Sequence, residues 1–155
     1  MKLSKNLSLS ECTKSNTAKR LGINNEPDEQ VINNLRQIAE NVFQPLRDHF
    51  DHPIYVSSGY RSPKLNAAIG GSKTSQHMAG RALDLDADIF KGLSNADIFN
   101  YIKDNLEFDQ LIWEFGTDDN PDWVHVSYSA YDPNRGRVLK AVRLSDGAPA
   151  YKIVE

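Results

Sequence analysis

From position 27 to position 50, apolar residues return every three or four places: Val31, Leu35, Ile38, Ala39, Val42, Phe43, Leu46 and Phe50. That period puts them on one face and predicts a long amphipathic helix. Pro45 falls within the stripe; lacking an N–H, it predicts a kink or loosening near Gln44. Downstream the period shortens. Residues 54 to 58 read as a short strand entering a Gly59-Tyr60-Arg61 turn. Ser62-Pro63 then supplies the N-cap and first turn of a short helix ending at Gly70-Gly71. Residues 82 to 87 alternate, with Leu83 and Leu85 on one face and Ala82, Asp84 and Asp86 on the other. Ser94 caps a predicted helix that buries Ile98, Phe99, Ile102 and Leu106. Residues 109 to 115 and 123 to 128 are predicted strands flanking a polar loop at 116 to 121. Trp123, His125 and Ser127 share one face of the second strand; Val124, Val126 and Tyr128 share the other. Residues 137 to 144 and 150 to 154, around Ser145-Asp146-Gly147, form a predicted final hairpin.

Residues 1 to 27 are polar, and Ser10 is a candidate cap for a helix stopping at Gly22. Helices come first and strands gather later, which predicts an α+β fold with a mostly antiparallel sheet. At 155 residues the chain is read as a single domain, 1–155, with the polar N-terminal segment packed on it or leading into it.

Composition narrows the function. A net charge of −3 offers no basic footprint for nucleic acid. No apolar run approaches the roughly 20 residues of a membrane span. The N-terminus has no continuous apolar core of a secretory signal, so the expectation is synthesis in the cytoplasm without a signal peptide. Cys12 is the only cysteine, which excludes an intrachain disulfide; it lies in no local cysteine-peptidase pattern. His49 and His52 end the long helix, where imidazoles favour the helix dipole.

Two stretches carry the chemistry: Ser75-Gln76-His77-Met78-Ala79-Gly80-Arg81-Ala82-Leu83-Asp84 and Asp122-Trp123-Val124-His125. Upstream stand Ser57-Ser58-Gly59-Tyr60-Arg61-Ser62-Pro63, then Asn66 and Gly70-Gly71-Ser72. These four blocks, in this order, resemble the D-Ala-D-Ala carboxypeptidase and L-alanyl-D-glutamate endopeptidase family of zinc peptidases, which includes phage endolysins. The resemblance covers roughly residues 28 to 129. It implies the hedgehog/DD-peptidase fold: a small, mostly antiparallel sheet with helices packed to one side.

It also implies a site. His77, Asp84 and His125 would hold one zinc ion, and a catalytic zinc needs three protein ligands with a fourth position open. Two imidazoles favour zinc or a similar transition metal over calcium or magnesium. Gly80 would let the chain fold His77 back over the strand of Asp84. Asp122, three residues before the last ligand, matches the general base. By strand parity it lies opposite His125 and so just before the strand. Arg61 matches the cation that faces the scissile carbonyl or a substrate carboxylate. Ser75 matches a position beside the substrate. Trp113, Glu114 and Trp123 read as sheet packing and pocket wall, with Glu114 within reach of the cleft.

The implied activity is hydrolysis of peptidoglycan stem peptides by a monomer. The dipeptidase branch more often has Glu at the Asp122 position and the endolysin branch commonly has Asp, which favours the L-Ala-D-Glu endopeptidase. The rivals are a D-Ala-D-Ala carboxypeptidase or dipeptidase and, from another class, a non-catalytic zinc-stabilised binding module. Without a signal, such a peptidase would reach the wall through holin release, lysis or virion delivery.

Overall fold

A computed structural model describes residues 1–154 and is α+β, as expected. The N-terminal segment opens with a small antiparallel pair, β1 (Lys2–Ser4) and β2 (Leu7–Ser8). Two short helices follow, α1 (Leu9–Thr13) and α2 (Asn16–Leu21). The single helix expected from Ser10 to Gly22 is therefore split. Ser8 caps α1 in a reciprocal capping box with Glu11, and Ser15 caps α2, which ends at left-handed Gly22. Two cap side chains seven residues apart outcompete continuation through extended Lys14. Leu3, Leu7 and Cys12 are buried in the main core, so this polar stretch packs into the fold through its few apolar residues.

The amphipathic stripe becomes α3 (Glu29–Ile38), capped by Asp28, and α4 (Gln44–Phe50), joined by a π-helical turn at Ala39–Phe43. Pro45 can neither donate to the carbonyl of Asn41 nor fit tightly over it. The wider turn just before it absorbs the fault without breaking the stripe. Val31, Leu35, Ile38, Val42, Phe43 and Leu46 are all buried. Ser62 caps α5 (Pro63–Ala68), and Ser94 forms a capping box with Asp97 at the start of α6 (Asn95–Asn105).

Six strands make the main sheet: β3 (Tyr55–Ser58), β4 (Ala82–Asp86), β5 (Gln110–Glu114), β6 (Trp123–Ser127), β7 (Arg137–Arg143) and β8 (Pro149–Ile153). Their order is β3-β4-β6-β5-β7-β8, antiparallel throughout except for the parallel β5–β7 pair. One face carries Leu83, Leu85, Leu111, Val124 and Val126, packed with α3, α4 and α6 in the main core. The other carries Asp84, His125, Ile112 and Glu114, aligned across neighbouring strands. No helix among the described residues is long and apolar enough to cross a membrane.

Candidate metal centre

β4 and β6 pair so that Asp84 lies directly opposite His125. The Asp84 Oδ1 to His125 Nδ1 distance is 2.9 Å, with both side chains largely covered. His77 comes from outside the sheet, in a 3-10 turn at Gln76–Ala79. Ser75 Oγ accepts the His77 amide at 3.2 Å and starts that turn; Gly80, at φ +72°, ends it and returns the chain to β4. A side chain at Gly80 would also strike Val31 on α3, so this reversal is wedged against the long helix. The His77 Nδ1 to Gly59 carbonyl distance is 2.6 Å, which makes Nδ1 the donor and turns Nε2 towards Asp84 at 3.3 Å.

One donor atom from each of His77, Asp84 and His125 falls within 4.8 Å of the others. Burial works against the charge of Asp84, but the two imidazoles outweigh it and hold the carboxyl well below the usual carboxylate range. The donor set itself is two imidazole nitrogens and one carboxylate oxygen, converging in a covered pocket. The Gly59 carbonyl fixes one ring from behind, a common support for metal-binding histidines. These residues fit a transition-metal ion such as zinc.

The triad opens into a cleft of about 760 Å³. One wall is the loop of Gly70, Gly71, Ser72, Thr74 and Ser75; the other is β7 and β8, through Arg137, Arg143 and Tyr151. Arg61 lines the cleft and reaches Ser75 Oγ from Nη2 at 3.4 Å. Its Nε is buried and meets no acceptor among the described residues. Burial lowers the Arg61 pKa and nearby Asp84 counters it. Asn25 braces the Arg61 loop, donating to the Tyr60 carbonyl and accepting from the Ser62 amide.

Asp122 is not one of the converging donors, and the recess it lines shares Phe115 and Arg143 with the metal cleft. Asp122 is exposed and lines a second recess with Gly116, Asp118, Lys140 and Val142; it is not among the residues of the metal cleft. Its amide donates to the Glu114 carbonyl, and its own carbonyl accepts from Asn95 Nδ2, fixing the segment before β6. Glu114 faces the cleft instead, on the strand beside His125, and is only 6% exposed. Burial pushes its carboxyl up to about 7; His125 pulls against that, Asp84 adds to it and Arg143 opposes it. Glu114 shares the parity of Gln110 and Ile112 on β5, which is the sequence signal for this placement. Asp86 turns to Asn95 and the Asp88 amide, clear of the ligand set. Cys12 is buried, and its thiol is pushed up to about 12, unsuited to nucleophilic attack.

No curated protein matches the chain. The family model described as Peptidase M15 matches residues 5–127, well over half of the 155 residues, and includes all three candidate ligands. The α+β arrangement fits the hedgehog/DD-peptidase-like fold, and the chain therefore belongs to the peptidase M15 family.

Proposed function

We propose that this peptidase is zinc-dependent and hydrolyses internal bonds of bacterial peptidoglycan stem peptides, with the L-Ala-D-Glu bond favoured. The observation that carries the reading is the convergence of two imidazoles, one carboxylate and a separate buried carboxyl, Glu114, on one open cleft. His77, Asp84 and His125 would hold the ion, and zinc when bound polarises a carbonyl and acidifies water. Glu114 takes the proton of the attacking water and delivers it to the leaving amine, the role that the family resemblance gave to Asp122. Arg61 lines the cleft, and its guanidinium stabilises the oxyanion that develops on the scissile carbonyl. Ser75 acts from behind, holding both the His77 turn and the Arg61 guanidinium.

A cleft of about 760 Å³ has room for a multi-residue peptide segment. Action on the wall would follow release by lysis, a holin or a virion. Mass spectrometry of muropeptides from sacculi incubated with the zinc-loaded protein tests the reading. New fragments ending in L-Ala are expected. Loss of terminal D-Ala alone would make the protein a carboxypeptidase; tight binding to sacculi with no bond cleaved would make it a binding module.

A further inference from the structure

We propose that Arg143, on the C-terminal hairpin, is a specificity residue that grips a carboxylate carried by the substrate residue on the leaving side of the scissile bond. This rests on the peptidase reading above and deepens it: the preferred stem peptide is one whose D-Glu keeps a free α-carboxylate.

The hairpin of β7 and β8 lies beyond the stretch matched by the family, yet it builds one wall of the cleft. Along β7, Arg137, Leu139, Ala141 and Arg143 share a face by strand alternation. Leu139 and Ala141 are buried with Ile112 and Phe115 as an apolar floor, while the two arginines at its ends are exposed. Six residue-to-residue steps of strand place those arginines roughly 20 Å apart, so they cannot hold one carboxylate together. Arg143 is the one near Glu114: β5 and β7 set Glu114 beside Ala141, two residues away and on the same face.

Arg143 is also held ready. Its guanidinium carbon lies 4.0 Å from the centroid of the Phe115 ring, and Nη1 donates to the Gly147 carbonyl at 3.4 Å. Phe115 has φ +56°, a left-handed conformation that is unfavourable by roughly 1 kcal/mol or more for a residue with a Cβ. That conformation breaks strand alternation, so Phe115 and its neighbour Glu114 both line the cleft. The strained residue thus supplies the platform on which the guanidinium stacks, with Trp123 behind it at 5.6 Å. Among the described residues no carboxylate lies within 4.0 Å of the Arg143 guanidinium. An exposed guanidinium with Nη1 anchored on Gly147 and no carboxylate partner of its own suits a carboxylate ligand. In an L-Ala-D-Glu bond linked through the γ-carboxyl of D-Glu, the free α-carboxylate sits one carbon from the leaving nitrogen. Glu114, on the same side of the cleft, serves that nitrogen.

The test uses three probes: acetyl-L-Ala-γ-D-Glu-L-Lys amide, its D-isoglutamine counterpart, and the isoglutamine peptide with a free C-terminus. Calorimetry measures their binding to zinc-loaded Glu114→Gln protein, with and without Arg143→Gln. Steady-state kinetics follow for the parent protein and the single variant Arg143→Gln, both of which keep Glu114. The first probe should bind about tenfold to a hundredfold more tightly than the second when Arg143 is present. Arg143→Gln should erase that difference and raise KM for the first probe alone; Arg143→Lys should restore part of it. Equal losses of kcat on the first two probes would make Arg143 only a counter-ion of Glu114 and overturn the proposal. Preference for the third probe over the second, lost in Arg143→Gln, would assign the grip to a terminal carboxylate and overturn it too. Sacculi left intact while binding still discriminates the D-Glu carboxylate would sink the endopeptidase reading and leave the subsite standing. Cleaved sacculi with indifferent binding would do the reverse.

Discussion

The carbonyl of Gly59 and the Nδ1 of His77 meet at 2.6 Å, and this bond decides which ring nitrogen faces Asp84 and the candidate metal site. Gly59 can hold that place only because it has no side chain: a Cβ there would come within 2.5 Å of the Cys12 carbonyl oxygen. The same Cys12 carbonyl accepts the Tyr60 amide at 2.7 Å, locking the turn to α1. Helix packing at the N-terminus is thereby coupled to ligand geometry more than sixty residues away in sequence.

Gly59→Ala should therefore damage both stability and metal binding. Overpacking against backbone is expected to lower stability by roughly 1–3 kcal/mol. Displacing the carbonyl behind His77 should weaken zinc binding about tenfold to a hundredfold. Thermal unfolding in chelator measures the first effect and zinc titration the second. Unchanged affinity would show that His77 holds its orientation without Gly59.

The buried triad should make the folded protein a metal-linked equilibrium. Removing zinc with a chelator is expected to lower Tm, and adding it back should restore Tm in proportion to the logarithm of free zinc. His77→Ala or His125→Ala should abolish one-to-one zinc content and the chelator effect together. Full stoichiometric zinc in either variant, by elemental analysis, would refute the ligand assignment.

Glu114 and Asp122 can be separated directly. Glu114→Gln should keep zinc and fold but reduce kcat on the order of 10² to 10⁴, the usual contribution of a general base. Asp122→Asn keeps the backbone contacts to Glu114 and Asn95 and should turn over within a few-fold of the parent. The reverse pattern, measured on muropeptides at matched zinc content, would return the base to Asp122.

Asp109 gives a pH signature through its tie to the Gln76–Ala79 turn. It accepts from Arg135 Nε at 2.9 Å and Nη2 at 2.8 Å, from the Arg135 amide, and from Gln76 Nε2. The Arg135 side chain above all holds its carboxyl down to about 2, against an ordinary 3.8. A carboxyl lowered on folding stabilises fully above its unfolded pKa and loses that contribution as pH falls through its folded one. The window is therefore pH 4 to pH 2. Asp109→Asn should reduce stability by about 1 kcal/mol at neutral pH, because solvent screens the half-exposed Arg135, with the gap closing towards pH 2. Urea unfolding at several pH values checks this, and a gap that persisted at pH 2 would mean that shape, not charge, sets the role of Asp109.

Much of the architecture was legible because it is periodic. The stripe from Val31 to Leu46 needs only the helix repeat to declare its buried face, and Leu83, Leu85, Val124 and Val126 need only alternation. Alternation likewise put Asp84 and His125 on non-core faces, and local cap chemistry at Ser62 and Ser94 marked two helix starts. The polar N-terminus concealed β1 and β2 because Leu3, Leu7 and Cys12 are too few and too irregular to show a period.

Sequence alone, through its blocks of matching residues, determined the candidate ligands His77, Asp84 and His125, since these depend on which donors the chain carries and in what order. Only the tertiary structure decided their neighbours. Register between β4 and β6 sets Asp84 opposite His125, and the order β6-β5-β7 brings Glu114 and Arg143 to the same cleft. The resemblance made Asp122 the partner of His125, but Asp122 stands just before β6, tied by its amide to the Glu114 carbonyl, and lines another recess. Faces follow from local periodicity. Which faces meet follows from closing long loops over a shared core, and that information is spread across the whole chain.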